Sequence, residues 1–215
     1  MQQQSVEFED TSRSLTETLQ ALVSGIRGQS ITLRELMDAV GEQGLLLLCA
    51  IASLPFLIPV SIPGISTVFG AAIILVGIAV CLNRLPWLPR RILDRKLDTA
   101  KLVPALERGI GIVGKFDRYV KPRMTQITGS AIANRINALA ITIGGILLMF
   151  PLGLIPFSNT LPAVAILLIA VGMIQRDGLI ILGGYAFLVG TKIYFAALAY
   201  AAFSAGQGLM SIFSS

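Results

Sequence analysis

The sequence predicts an all-α integral membrane protein built on an internal two-fold repeat of broken helical hairpins. Three observations predict it. Residues 45–83 and 136–175 form runs of 39 and 40 residues without a single Asp, Glu, Lys or Arg, each about twice the ~20 residues of one membrane span. Each run is broken near its middle by prolines: Pro55, Pro59 and Pro63 followed by Gly64 in the first, and Pro151, Pro156 and Pro162 in the second. The composition agrees, with 54% hydrophobic residues, 13% charged residues and a mean hydropathy of +0.78; an ordinary soluble domain carries roughly 25% charge.

Residues 1–44 open on a polar, Gln-rich stretch without the basic segment that precedes the apolar run of a signal peptide. Ser14 with Glu17, and Thr32 with Glu35, have the spacing of capping boxes. Behind them Leu15, Leu19, Leu22, Val23 and Ile26, then Leu33, Leu36, Met37 and Val40, recur at helical spacing. Gly25 and Gly28 separate these two short amphipathic helices, which lack the length to cross a bilayer and belong at its surface.

Residues 45–83 and 136–175 each read as helix, turn, helix, because proline removes a donor and clashes with the preceding turn. The first arm of hairpin one, residues 45–58, and the second arm of hairpin two, residues 161–174, are 14 residues each, about 21 Å of helix against ~30 Å of hydrocarbon. Arms this short predict re-entrant turns inside the membrane. The hairpins also align: Ile58, Pro59 and Ser61 match Ile155, Pro156 and Ser158 at a separation of 97.

Residues 84–135 carry twelve basic and four acidic residues, against three basic and seven acidic in residues 1–44. Leu85, Trp87, Leu88, Ile92, Leu93 and Leu97 alternate with Arg90, Arg91, Arg95 and Lys96, the pattern of an interfacial helix. A second helix is expected over residues 102–120, too charged to cross. The basic layer therefore faces the cytoplasm and anionic lipids, with both hairpins entering from the same face; the alternative is an inverted repeat, which needs residues 102–120 to cross despite their charges. Nucleic acid is a poor alternative partner, since the block lies between apolar segments without interleaved aromatics. Residues 176–215 close the chain with an apolar stretch, 179–203, interrupted by Lys192 and long enough to span. Gly183, Gly184, Gly190 and Gly206 suit close packing against another helix; a homo-oligomer is one way to supply it.

Two clusters are candidate sites. At the turns, Ser61, Ser66, Thr67, Ser158, Asn159 and Thr160 offer hydroxyl and amide groups just before apolar helices. Ser66 or Thr67, and Asn159 or Thr160, read as simple helix N-caps; the sharper reading makes the six a substrate-binding site, because paired broken helices mark transporter sites and helix N-termini attract anionic groups. The second set, Glu42, Arg135, Arg176, Asp177 and Lys192, reads as structural pairs or as an ion relay. Glu42 opens hairpin one and Arg135 opens hairpin two, so a bond between them is expected if the repeats pack together. No histidine is present, which excludes His triads and imidazole switches. Cys49 and Cys81 lie in apolar runs and read as small hydrophobes. No nucleophile–base pair, metal-ligand cluster or phosphate loop stands out, so neither an enzyme nor a bound cofactor is expected.

The stretch GEQGLLLLCAIASLPFLIPVSIPGISTVFG, followed by LPWLPRRILDRKL, resembles the first signature of the ExoD family of bacterial membrane proteins, and PFSNTLPAVAILLIAVGMIQRDG resembles the second. Gln175 departs from the pattern, standing where an acidic residue is expected before Arg176 and Asp177. The resemblance implies an inner-membrane role in exopolysaccharide production or export, alongside polysaccharide-synthesis proteins, and implies no enzymatic activity. Two mechanisms fit: transport of a small solute, ion or lipid-linked precursor through the paired turns, or a non-catalytic scaffold acting through the basic layer.

Overall fold

The computed structural model describes residues 30–57, 64–83, 96–100, 127–150 and 155–213, with isolated positions between and before them. The helix expected around Ser14, most of the one over 102–120, and Pro59, Ser61, Pro63 and Pro151 lie outside the described residues.

Thr32 starts helix α1 (Leu33–Ser53) with the expected capping box. Its hydroxyl accepts from the Glu35 N–H at 3.2 Å, and its own N–H donates to the Glu35 carboxylate at 2.9 Å. The surface helix and the first hairpin arm follow one another directly, two helical stretches that meet at Gly41, whose φ of 59° and ψ of −148° are non-helical and suit only glycine. The α-helix gives way to a 3-10 turn, Leu54–Leu57, so the arm is shorter than 45–58 and Pro55 sits exposed in the turn. Helix α2 (Ile65–Cys81) follows Gly64, again at positive φ, 86°.

Two strands were not anticipated. β1 (Ser30–Thr32) pairs antiparallel with β2 (Lys96–Asp98), Ile31 opposite Leu97. The expected helix over 85–97 therefore does not include its last residues, whose backbone bonds are taken up by the ladder.

Helix α3 (Ala131–Leu148) begins at Ser130, whose hydroxyl accepts from the Ala133 N–H at 3.1 Å. Helix α4 (Thr160–Ile174) matches the expected arm. Helix α5 (Gly178–Phe213) is longer than the stretch that predicted it.

The hairpins pack crosswise: α1 lies against α4 and α2 against α3, with α5 laid along α4. Small residues permit close approach. A Cβ added at Gly77 would stand 3.2 Å from the Ala138 carbonyl oxygen, and one at Gly145 would stand 3.2 Å from that of Gly70. These pairings run α2 antiparallel to α3. The start of α2 therefore meets the end of α3, and both hairpin turns lie at one end of the bundle. Leu45, Cys49, Ile73, Ile141, Ile166, Ile169 and Ile181 fill the core. The outer surface stays apolar, with Val68, Ile132, Ile193 and Phe203 more than 60% exposed. Two helices, Ala131–Leu148 and Gly178–Ala205, are long and apolar enough to cross a membrane.

Candidate functional site

Polar residues gather at both ends of the bundle, in different ways. At the turn end, Ser158 is buried and its hydroxyl lies 2.8 Å from the carbonyl oxygens of both Leu152 and Ile155, to which its single proton is donated. Tyr194 on α5 donates to the Pro156 carbonyl at 2.8 Å. Asn159 occupies the N-cap position of α4, but with helical backbone angles (φ −93°, ψ −30°) and no capping bond from its side chain. A capping side chain folds back from an extended backbone, which Asn159 lacks. Thr160 is the first residue of α4, and buried Pro162 lies in its first turn, where the missing N–H costs no helical bond. Ser66 and Thr67 are the second and third residues of α2, whose cap is Gly64 without a side-chain bond. Of the four residues read as N-caps, Asn159 holds the cap position without a side-chain capping bond, while Ser66, Thr67 and Thr160 lie inside their helices.

At the open end a cavity of about 250 Å³ lies among the start of α1's second half, the end of α2, the start of α3 and the α4–α5 turn. Glu42, Asn83, Thr128, Ser130, Asn134, Arg135 and Arg176 line it. Three of the five residues named as a relay are therefore brought together. The expected Glu42–Arg135 bond is replaced by one from the neighbouring residue: Asn134 Nδ2 donates to Glu42 Oε1 at 3.2 Å, while Arg135 stands exposed in the same wall. One residue along a helix turns the side chain by about 100°, which sequence spacing alone does not place between two elements. Burial pushes the Glu42 carboxyl above its ordinary range, and the Arg176 charge opposes that shift.

Arg176 and Asp177 build the turn itself. Arg176 has a φ of +53°. Its N–H bonds the Met173 carbonyl at 3.3 Å and the Asp177 N–H bonds that of Gly172 at 2.9 Å, a Schellman closure of α4. Buried Asp177 then caps α5, its carboxylate accepting from the N–H groups of Leu179 and Ile180 at 2.9 and 3.4 Å. The expected ion pair between the two is not found among the described residues, where the Asp177 carboxylate is engaged by the first N–H groups of α5. Lys192 stands exposed on the outer side of α5, away from the cavity, while Thr191 beside it is buried.

One group escaped sequence reasoning. Asn137, 1% exposed, donates through Nδ2 to the Ile127 carbonyl at 3.0 Å and accepts from the Tyr185 hydroxyl at 2.8 Å, tying α3 to the preceding loop and to α5. Its signal was a lone amide in an apolar stretch. Among the described residues no group of three acids or cysteines could hold a metal.

No solved structure matches this chain. It is 64% identical over 210 residues to Protein ExoD of Rhizobium meliloti, covering 98% of this chain and 88% of that one. It is 28% identical over 187 residues to an uncharacterised protein of Synechocystis sp., covering 86% and 87% of the two chains. Residues 15–197 match the family described as "Exopolysaccharide synthesis, ExoD", and the chain belongs to that family.

Proposed function

We propose that this chain is a multi-pass protein of the bacterial inner membrane that carries a small solute, an ion or a lipid-linked precursor in exopolysaccharide production. The carrying observation is the crosswise packing of the two hairpins, α1 on α4 and α2 on α3, which is the exchange that a two-fold repeat requires. With both turns at one end, the hairpins enter from the same face and the basic layer of residues 84–135 lies in the cytoplasm against anionic lipids. Helix α5 serves as a ruler. Tyr194 touches the second turn and lies 16 residues beyond Gly178, about 24 Å along the helix, whereas the apolar stretch continues to Ala205. The turns then end short of ~30 Å of hydrocarbon, and Ser66, Thr67, Ser158, Asn159 and Thr160 supply polar groups there. The role is one of passage, without a catalytic step.

The test combines Ser66→Ala with Asn159→Ala and measures secreted polymer. The expected result is loss of polymer with normal membrane insertion and an unchanged melting temperature. Full polymer output would sink the turn site and favour the scaffold reading, for which the basic layer's charge speaks. Reporters fused after Thr99 and after Gly129 should both report cytoplasm. Opposite signals would establish an inverted repeat.

A further inference from the structure

The open-end cavity has an imbalance of charge. Two arginines, Arg135 and Arg176, line it with one acidic residue, Glu42, whose carboxyl feels the Arg176 charge. Neither arginine has a salt bridge among the described residues, where the ion pair found is Arg34 with Asp94. Glu42 is already engaged by the Asn134 amide. The start of α3 forms part of the same wall, through Gly129, Ser130 and Ala131. Its first turn carries no acidic residue, so the positive end of the helix dipole is uncompensated. Of its early N–H groups, that of Ala133 is taken by the Ser130 hydroxyl. Those of Ala131 and Ile132 have no protein partner among the described bonds. A volume of about 250 Å³ holds several waters at ~30 Å³ each, or one phosphate group with its hydration.

We propose that this cavity binds a phosphate group, held by Arg135 and Arg176 at the N-terminus of α3, with Glu42 as the internal anion that competes for the same charges. Planar guanidinium groups match phosphate oxygens in bidentate fashion, and a helix N-terminus adds backbone donors. The phosphate comes either free in the cytoplasm or on the headgroup of an anionic phospholipid. This site lies at the opposite end from the turns and does not rest on the transport reading.

The experiment uses the full chain in two settings. In neutral detergent, calorimetry follows the binding of inorganic phosphate. In nanodiscs of phosphatidylcholine, with and without phosphatidylglycerol, the melting temperature is followed. Binding of inorganic phosphate assigns a free ligand; stabilisation by phosphatidylglycerol alone assigns the headgroup. In either setting R135Q should weaken the interaction by roughly tenfold or more, the loss of one charge-assisted contact. E42Q should strengthen it several-fold by removing the competitor. Arg135 is exposed, so R135Q leaves the core intact, and the opposite sign expected for E42Q cannot arise from misfolding. No response to either probe overturns the site, as does equal affinity in R135Q or weaker affinity in E42Q.

Discussion

At the turn end of the bundle, Ser158 bonds carbonyls three and six residues before it in the chain. At the open end, Glu42 meets Asn134 across 92 residues, and Asn137 meets Tyr185 across 48. The first kind of contact satisfies one turn's own backbone; the second ties separate helices to one another. The difference teaches that Ser158 beside its proline-rich turn is explained locally, the longer reach there being that of Tyr194 to the Pro156 carbonyl, while side-chain pairs at the open end fix how the helices sit together. It also leaves charge over: Arg135 and Arg176 line the open-end cavity with a single acidic residue, whereas the described polar groups of the second turn are uncharged.

The largest expected effect tests the open end. Asn137→Ala removes a buried amide and strands two partners, the Ile127 carbonyl and the Tyr185 hydroxyl. Each unsatisfied group costs about 1–3 kcal/mol, so a loss of about 3 kcal/mol is expected in denaturant melts of the detergent-solubilised protein. Asn137→Asp should recover part of it by keeping the acceptor for Tyr185. A loss below 1 kcal/mol would mean that water replaces the amide and that this end is open to solvent at that depth.

The turn end should respond more weakly. Ser158→Ala deletes the donor but strands only carbonyls, which tolerate a missing partner better than N–H groups do. A loss of about 1 kcal/mol is expected, about a third of that at Asn137. Equal losses at the two sites would break the distinction between local and inter-helix polarity.

The two ends also differ in how far the sequence exposed them. The hairpins were legible because charge-free runs and prolines act on the chain locally: Pro162 sits in the first turn of α4, and Thr32 with Glu35 closes the box that their spacing predicts. The direct junction at Gly41 was hidden because apolar periodicity on each side reads as two helices without saying how they join. The ladder of Ile31 with Leu97 was hidden because three-residue strands carry no usable period. At the open end the partner of Glu42 was wrong by one position, Asn134 for Arg135, since which side of α3 meets α1 is set by tertiary packing that spacing does not encode. Arg176 read as a charge, yet its backbone at positive φ ends α4; non-glycine residues take that conformation too rarely for a sequence to announce it.

The smallest effect, a change in slope rather than in magnitude, compares two carboxylates on the two stretches of α1. Glu35 and Glu42 flank the Gly41 junction. The Thr32 backbone N–H, then its hydroxyl, hold the exposed Glu35 below its ordinary value of 4.5. Burial raises Glu42 above the same value, with Arg176 partly opposing; the residue precedes the charge-free stretch and lies at the cavity rim. Folding therefore asks opposite things of them. Glu35 keeps less of its proton in the folded state, so its contribution is present above the unfolded value and fades as pH falls through the lowered folded one. Glu42 keeps more of its proton in the folded state. Its contribution is complete below 4.5 and is lost as pH rises from there through the raised folded value, where the half-buried group must ionise. Glu42→Gln abolishes that dependence, because the amide cannot ionise and still accepts from Asn134. Melting temperatures of the two proteins, taken from ~pH 4 to ~pH 8, should then diverge upward, with the wild type falling behind the variant as pH rises. Added phosphate should enlarge that separation if it competes with the ionised carboxylate for Arg135 and Arg176. Parallel curves would mean that Glu42 is solvated like Glu35, and the contrast between a half-buried open-end carboxylate and a surface one would be gone.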